Sequence, residues 1–234
     1  MMKRRTIIRL KRTLRHMTPR HIVHSRMTKG VMQRFADKVG LVYFGYVDQK
    51  DDDHRIVRGH TVSATHIDQN YCIGTIRGYD VSLVARNDVV LARDLKSEQR
   101  CHWLIMTVDL KSTKDIPHLY IGHESRKTAF ASSYEQLTPL AIQSLGAYPK
   151  DFTSRYTIFG RQTHALQIES IIMPDIAATI ASHFKQISIE IETNCIYLYV
   201  ESQHPDEVLL EKIVSNGLWL AEVIDTRLLQ AAKN

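Results

Sequence analysis

Seven cationic side chains near the start of the chain are the residues whose type and spacing most clearly suit a chemistry: Arg4, Arg5, Arg9, Lys11, Arg12, Arg15 and Arg20. Guanidinium and ammonium groups at this density neutralise anions: lipid head groups, nucleic-acid phosphates, or the carboxylates of the chain's own acidic body, on which the leader could pack. They sit in a stretch of thirty-six residues that holds eleven Lys and Arg and no acid, the first carboxylate being Asp37. The whole chain is formally +6, but residues 37–234 carry 20 basic against 25 acidic side chains, a net of −5. A cationic leader, residues 1–36, therefore precedes an acidic body, residues 37–234.

Other reactive residue types are present without the spacing that chemistry needs. His54, His60 and His66 recur every six residues. On one strand they would lie roughly 20 Å apart and could not share a metal. Asp51-Asp52-Asp53-His54 has the look of a cation loop, yet the glycine and glutamate that an EF-hand needs at its sixth and twelfth positions are Val57 and Val62. Gly74 and Gly78 lack the Lys-Ser/Thr of a phosphate loop. Asp68, His102, Asp109 and His123 are acid–base residue types that nothing in the sequence places together. The three cysteines, Cys72, Cys101 and Cys195, are far apart and odd in number, which reads as buried free thiols in a reducing compartment. No catalytic signature, no metal site and no cofactor is expected, and the reading leans toward a non-enzymatic protein.

The leader's cations need an element to present them. Over Arg4–Met17 a helix places Ile7, Leu10, Leu14 and Met17 within about an 80° arc, with Arg5, Arg9, Arg12 and Arg15 opposite. Thr18-Pro19 interrupts it, and a second helix beginning at Pro19 is expected to stop near Gly40. Arg9, Lys11 and Arg12 break the apolar run that a secretory signal requires. No segment is apolar for the roughly 18 residues of a spanning helix.

The body reads as α+β: a mostly antiparallel sheet with helices on one side, ending in a β-hairpin plus a long C-terminal helix. Strands are expected at Leu41–Val47, Arg55–Val62, Tyr71–Arg77, Asp80–Arg86, Cys101–Leu110, Pro117–Gly122 and Ser154–Phe159, with a tight hairpin at Arg77–Asp80. The apolar run Trp103–Val108 suits a central strand covered on both faces. Asp94–Arg100 reads as a charged loop and Ser125–Leu137 as a weak helix. Ala165–Ile172 is ambiguous, and Pro174-Asp175 opens a short helix. Ile187, Ile189 and Ile191, then Ile196, Leu198 and Val200, alternate with polar residues and predict a hairpin with one buried and one wet face, carrying Tyr197 and Tyr199 on the wet one. Gly74 is expected at a bulge or close backbone approach, and Asn216-Gly217 at a kink or close contact in the last helix.

Several segments resemble a family of uncharacterised bacterial proteins typical of candidate-phylum organisms. They are Val57-Arg58-Gly59, Tyr71-Cys72-Ile73-Gly74, Arg77-Gly78-Tyr79-Asp80, His102-Trp103-Leu104-Ile105-Met106, Pro117–Gly122 and Asn216–Ala221. The likeness runs from about Phe35 into the C-terminal helix, and more distantly reaches a membrane-tethered actinobacterial domain, through the segment Phe152–Tyr156 among others. The resemblance supplies no activity, cofactor or site residue. It implies proximity to a membrane and disfavours an organellar transit peptide.

The expected function is therefore peripheral association of a cytoplasmic protein with an anionic membrane surface through the basic leader. Nucleic-acid or ribosome binding by the same arm, and an enzyme with a cryptic site in the sheet, are the alternatives.

Overall fold

The computed structural model describes residues 19–45, 67–91, 98–123, 137–141, 146–202 and 204–230. In chain order the elements are α1 (Pro19–Val39), β1 (Val42–Gly45), β2 (Ile67–Ile76), β3 (Tyr79–Leu91), β4 (Glu98–Asp109), β5 (Leu119–His123), β6 (Thr138–Pro139), α2 (Lys150–Thr153), β7 (Tyr156–Gly160), α3 (Ala165–Ile171), α4 (Pro174–His183), β8 (Ser188–Glu192), β9 (Cys195–Glu201) and α5 (Glu207–Gln230). The nine strands form one sheet in the order β1-β2-β3-β4-β9-β8-β5-β7-β6. Every pairing is antiparallel. The expected helix over Arg4–Met17, the strand Arg55–Val62, the turn and histidines of Asp51–His66, and nearly all of Ser125–Leu137 lie outside the described residues.

The five α-helices of the described residues all contribute to one core on one side of the sheet. Their Phe35, Phe152, Ile168, Ile180 and Leu220 join Leu83, Met106, Ile189 and Leu198 from the strands. The amphipathic spacing of Ile176, Ile180 and Phe184 turns one face of α4 and its cap inward, as a 3.6-residue period requires. Gly217 lets α5 lie close to the sheet. A Cβ there would stand 2.8 Å from Met106 Sδ and 3.1 Å from a Leu198 methyl. The glycine thus serves close packing between α5 and β4–β9.

α1 runs through position 36, and its Met32, Phe35 and Ala36 are buried in the same core. Lys38, at its C-terminal end, reaches Glu207 (2.5 Å) and Glu211 (2.7 Å) on α5. Asp225, also on α5, accepts the backbone N–H groups of Lys111 (3.1 Å) and Ser112 (3.0 Å) beyond β4.

The β2–β3 hairpin turns through Arg77 (φ 52°) and Gly78 (φ 74°), and the β8–β9 hairpin through Thr193 (φ 51°) and Asn194 (φ 57°). Two consecutive residues with positive φ match the twist of antiparallel strands. Asn194 also donates to Ser112 O (3.0 Å). A β-branched residue is strained at Thr193, so Thr193→Asn is expected to stabilise the protein by about 0.5–1 kcal/mol. The check is a rise in thermal midpoint with unchanged secondary structure.

Of the two alternatives at Gly74, a bulge or a close approach, the structure has the close approach: a Cβ there would meet Leu41 at 2.9 Å. The register of β2 shifts instead between Gln69 and Cys72, where Asn70 has φ 56° and accepts the Tyr43 hydroxyl. Two local expectations change. Residues 98–100, read as loop, begin β4, because the β3–β4 ladder continues to Leu91↔Glu98. The second change concerns the other sheet face and shapes the candidate site.

Candidate functional site

Strand alternation sends Val84 and Arg86 of β3, Trp103 and Ile105 of β4, Tyr197 and Tyr199 of β9 and Ser188 and Glu190 of β8 to the face opposite the helices. At the β8–β9 hairpin this face was expected to be wet. It is buried: Tyr199 and Glu190 are both at 0% exposure, and Tyr197 is at 9%. A second apolar cluster of Tyr71, Val84, Trp103, Ile105, Tyr120 and Tyr199 occupies it. Sequence alternation marks which residues share a face, but water reaches the polar set only if nothing covers it. Here Glu190 pairs with Tyr199, and Arg86 with Asp68.

Glu190 lies at the centre. Its Oε2 accepts the Tyr199 hydroxyl at 2.5 Å, and its Oε1 meets His118 Nε2 at 2.8 Å. The other ring nitrogen of His118 faces Glu192 Oε1 at 3.8 Å. Glu190 and Glu192 are two residues apart on β8 and so share a face, while His118 enters from the residue before β5. Pairing of β5 with β8 through Tyr120↔Glu190 holds the three together. Burial pushes the Tyr199 phenol well above its ordinary range, and the Glu190 charge adds to this while Arg86 opposes it. Tyr199 therefore stays protonated and donates. Burial pulls the His118 imidazole down, but the hydrogen bond to Glu190 and the charges of Glu190 and Glu192 outweigh it, against Arg161, and its pKa is raised.

A second buried pair lies toward the β2–β3 end. Arg86, a cross-strand partner of Asp68, donates from Nε to Oδ1 (2.6 Å) and from its terminal nitrogen to Oδ2 (2.7 Å). This two-pronged geometry fixes both side chains.

The four acid–base residue types from the sequence do not converge. Asp68 is held by Arg86. His102 Nδ1 contacts Asn87 Oδ1 at 2.6 Å. Asp109 ends the same strand, seven residues and so about 23 Å further along. His123 packs edge-on against Tyr156 at 5.1 Å between ring centroids. The cationic candidates Arg4, Arg5, Arg9, Lys11, Arg12 and Arg15 lie outside the described residues, and Arg20 falls in the first turn of α1. Cys72, Cys101 and Cys195 are buried and form no disulfide, and burial pushes Cys72 up to about 12, which leaves it unreactive. His118, Glu190 and Glu192 were missed because His118 and the hairpin are about seventy residues apart, and Glu190 looked like an ordinary solvent-side residue. The one available signal was a Glu-x-Glu within an otherwise isoleucine-rich strand.

No family model matches the chain, and no curated protein does. Among solved structures, the fold is similar to the crystal structure of the mycobacterial trehalose monomycolate transport factor A, TtfA, with a TM-score of 0.56 and 13% identity. The match covers 87% of this chain and 95% of that one. The likeness is one of fold, and its mycobacterial source agrees with the distant resemblance to an actinobacterial domain. Among the described residues no helix is long and apolar enough to cross a membrane.

Proposed function

We propose that this is a non-enzymatic α+β protein of the cytoplasm that associates peripherally with anionic membrane through residues 3–29. The observation that carries the reading is the charge division: eleven Lys and Arg without an acid in residues 1–36, against −5 in residues 37–234. Each Lys or Arg close to an anionic leaflet contributes about 1 kcal/mol, so a cluster of seven suffices for reversible attachment without a spanning segment. The apolar stripe of Ile7, Leu10, Leu14 and Met17 adds a shallow hydrophobic contribution.

Two structural features support it. At the C-terminal end of α1 the acids Glu207 and Glu211 are engaged by Lys38, so these carboxylates already have a cation. Immediately after α1, the edge strand β1 exposes Val42 and Phe44, with Ile73 partly exposed opposite Val42. A bulky aromatic here offers the interfacial anchor that the stripe of Ile7, Leu10, Leu14 and Met17 lacks. The fold neighbour is named as a transport factor for trehalose monomycolate, a setting that agrees with work at a lipid surface.

The test is co-sedimentation of the full chain with vesicles rich in phosphatidylglycerol, beside a full-length variant with Arg4, Arg5, Arg9, Lys11, Arg12, Arg15 and Arg20 changed to Gln. The parent should bind and be released by salt, and the variant should stay in the supernatant. Equal binding by both, or none by the parent, overturns the reading. A salt-steep mobility shift with RNA in the absence of vesicle binding would reassign the same cations to nucleic acid.

A further inference from the structure

We infer that His118, Glu190 and Glu192 form a binding site for one divalent transition-metal ion on the sheet face opposite the helices. Each residue offers a ligand atom, and these atoms lie within 4.8 Å of one another. A zinc ion bound at about 2.0–2.2 Å spaces its ligands roughly 3.0–3.5 Å apart. Glu190 now meets Nε2 of His118 at 2.8 Å and Glu192 faces Nδ1 at 3.8 Å, so an ion would take one of the two ring nitrogens and draw both carboxylates to it. Rotation of the half-buried Glu192 and His118 side chains would bring one ligand atom of each residue onto the ion without moving the strands.

Three further features fit. Glu190 is fully buried, and its second oxygen is held by the Tyr199 hydroxyl at 2.5 Å. That is the outer-shell support which orients a metal-binding carboxylate. Charge also balances, because two carboxylates and a neutral imidazole neutralise a doubly charged ion. Glu192, 42% exposed at its side chain, leaves the site open to solvent on one side, giving the ion an entry path. The donor set of one nitrogen and two oxygens disfavours calcium and magnesium, which take oxygen ligands, and suits zinc or a neighbouring first-row ion.

Isothermal titration calorimetry of the full chain with Zn²⁺ tests the site. The expected result is saturation at one ion per chain, with a raised thermal midpoint on binding. His118→Ala and Glu192→Gln should each lower affinity at least tenfold. Tyr199→Phe, which changes only the support of Glu190, should cost about 10–100-fold. Glu192 is half-buried at the end of β8, so Glu192→Gln decides the matter even if variants at the buried positions fail to fold. Absence of saturable binding overturns the proposal. So does binding that both His118→Ala and Glu192→Gln leave unchanged, since the ion would then sit on other histidines or thiols. The result is independent of vesicle binding by the leader.

Discussion

Arg86→Ala is expected to lower the unfolding free energy by about 3–5 kcal/mol, the largest single effect among charged residues in this protein. Arg86 is at 1% exposure, and its guanidinium meets both oxygens of Asp68. Truncation strands the Asp68 carboxylate beneath the sheet surface without its two-pronged donor and leaves a void beside Trp103, the cross-strand neighbour of Arg86. Removing both charges has a different consequence. The pair contributes little net stability because desolvation offsets most of its attraction, so Arg86→Leu combined with Asp68→Leu should recover a large part of the loss. Urea denaturation, read as the shift in midpoint at constant slope, measures both. A loss below about 1 kcal/mol for Arg86→Ala would mean that the pair is solvated and the second face open.

Phe35→Ala is expected to cost about 3–5 kcal/mol, as for other buried aromatic deletions. Phe35 is at 2% exposure, one turn before Val39, and shares its core with Met32, Ala36, Leu41 and Cys72. The size of the loss tells whether the second half of α1 is an integral part of the folded body. The consequence for function is mechanical. If Phe35 anchors α1, cations placed N-terminal to it are held at a fixed end of the sheet, beside the edge strand β1. A cost under about 1 kcal/mol by thermal or urea unfolding would instead make α1 a loosely attached arm. Arg34→Ala, an exposed change one residue away, is the control and should fall within about 0.5 kcal/mol of the parent.

Much of the architecture was legible because it rests on local rules. The period of two in Ile187–Val200 specified β8 and β9, and positive-φ turn chemistry at Arg77-Gly78 fixed one hairpin. The apolar run through Trp103–Val108 reported that β4 is covered on both faces, and it is buried in the middle of the sheet order. Pro174 and Asp175 marked the start of α4. The candidate metal site was not legible. Its histidine and its glutamates come from segments about seventy residues apart, and their proximity depends on β5 inserting between β7 and β8. Composition alone weighed against it, since scattered histidines seldom converge.

The sequence by itself determined which side chains share a face, where the chain turns, and that eleven cations without an acid precede a body of net negative charge. Those properties follow from alternation, from steric limits on φ and from covalent order, and all act within a few residues. Only the tertiary structure decided that the polar side of the β8–β9 hairpin is buried, that Gly217 is a contact point for Met106 and Leu198, and that α1 carries Phe35 into the core. Each of these depends on what lies across a sheet face from residues distant in the chain. Burial, not residue type, then sets whether Glu190 meets water or a tyrosine and a histidine.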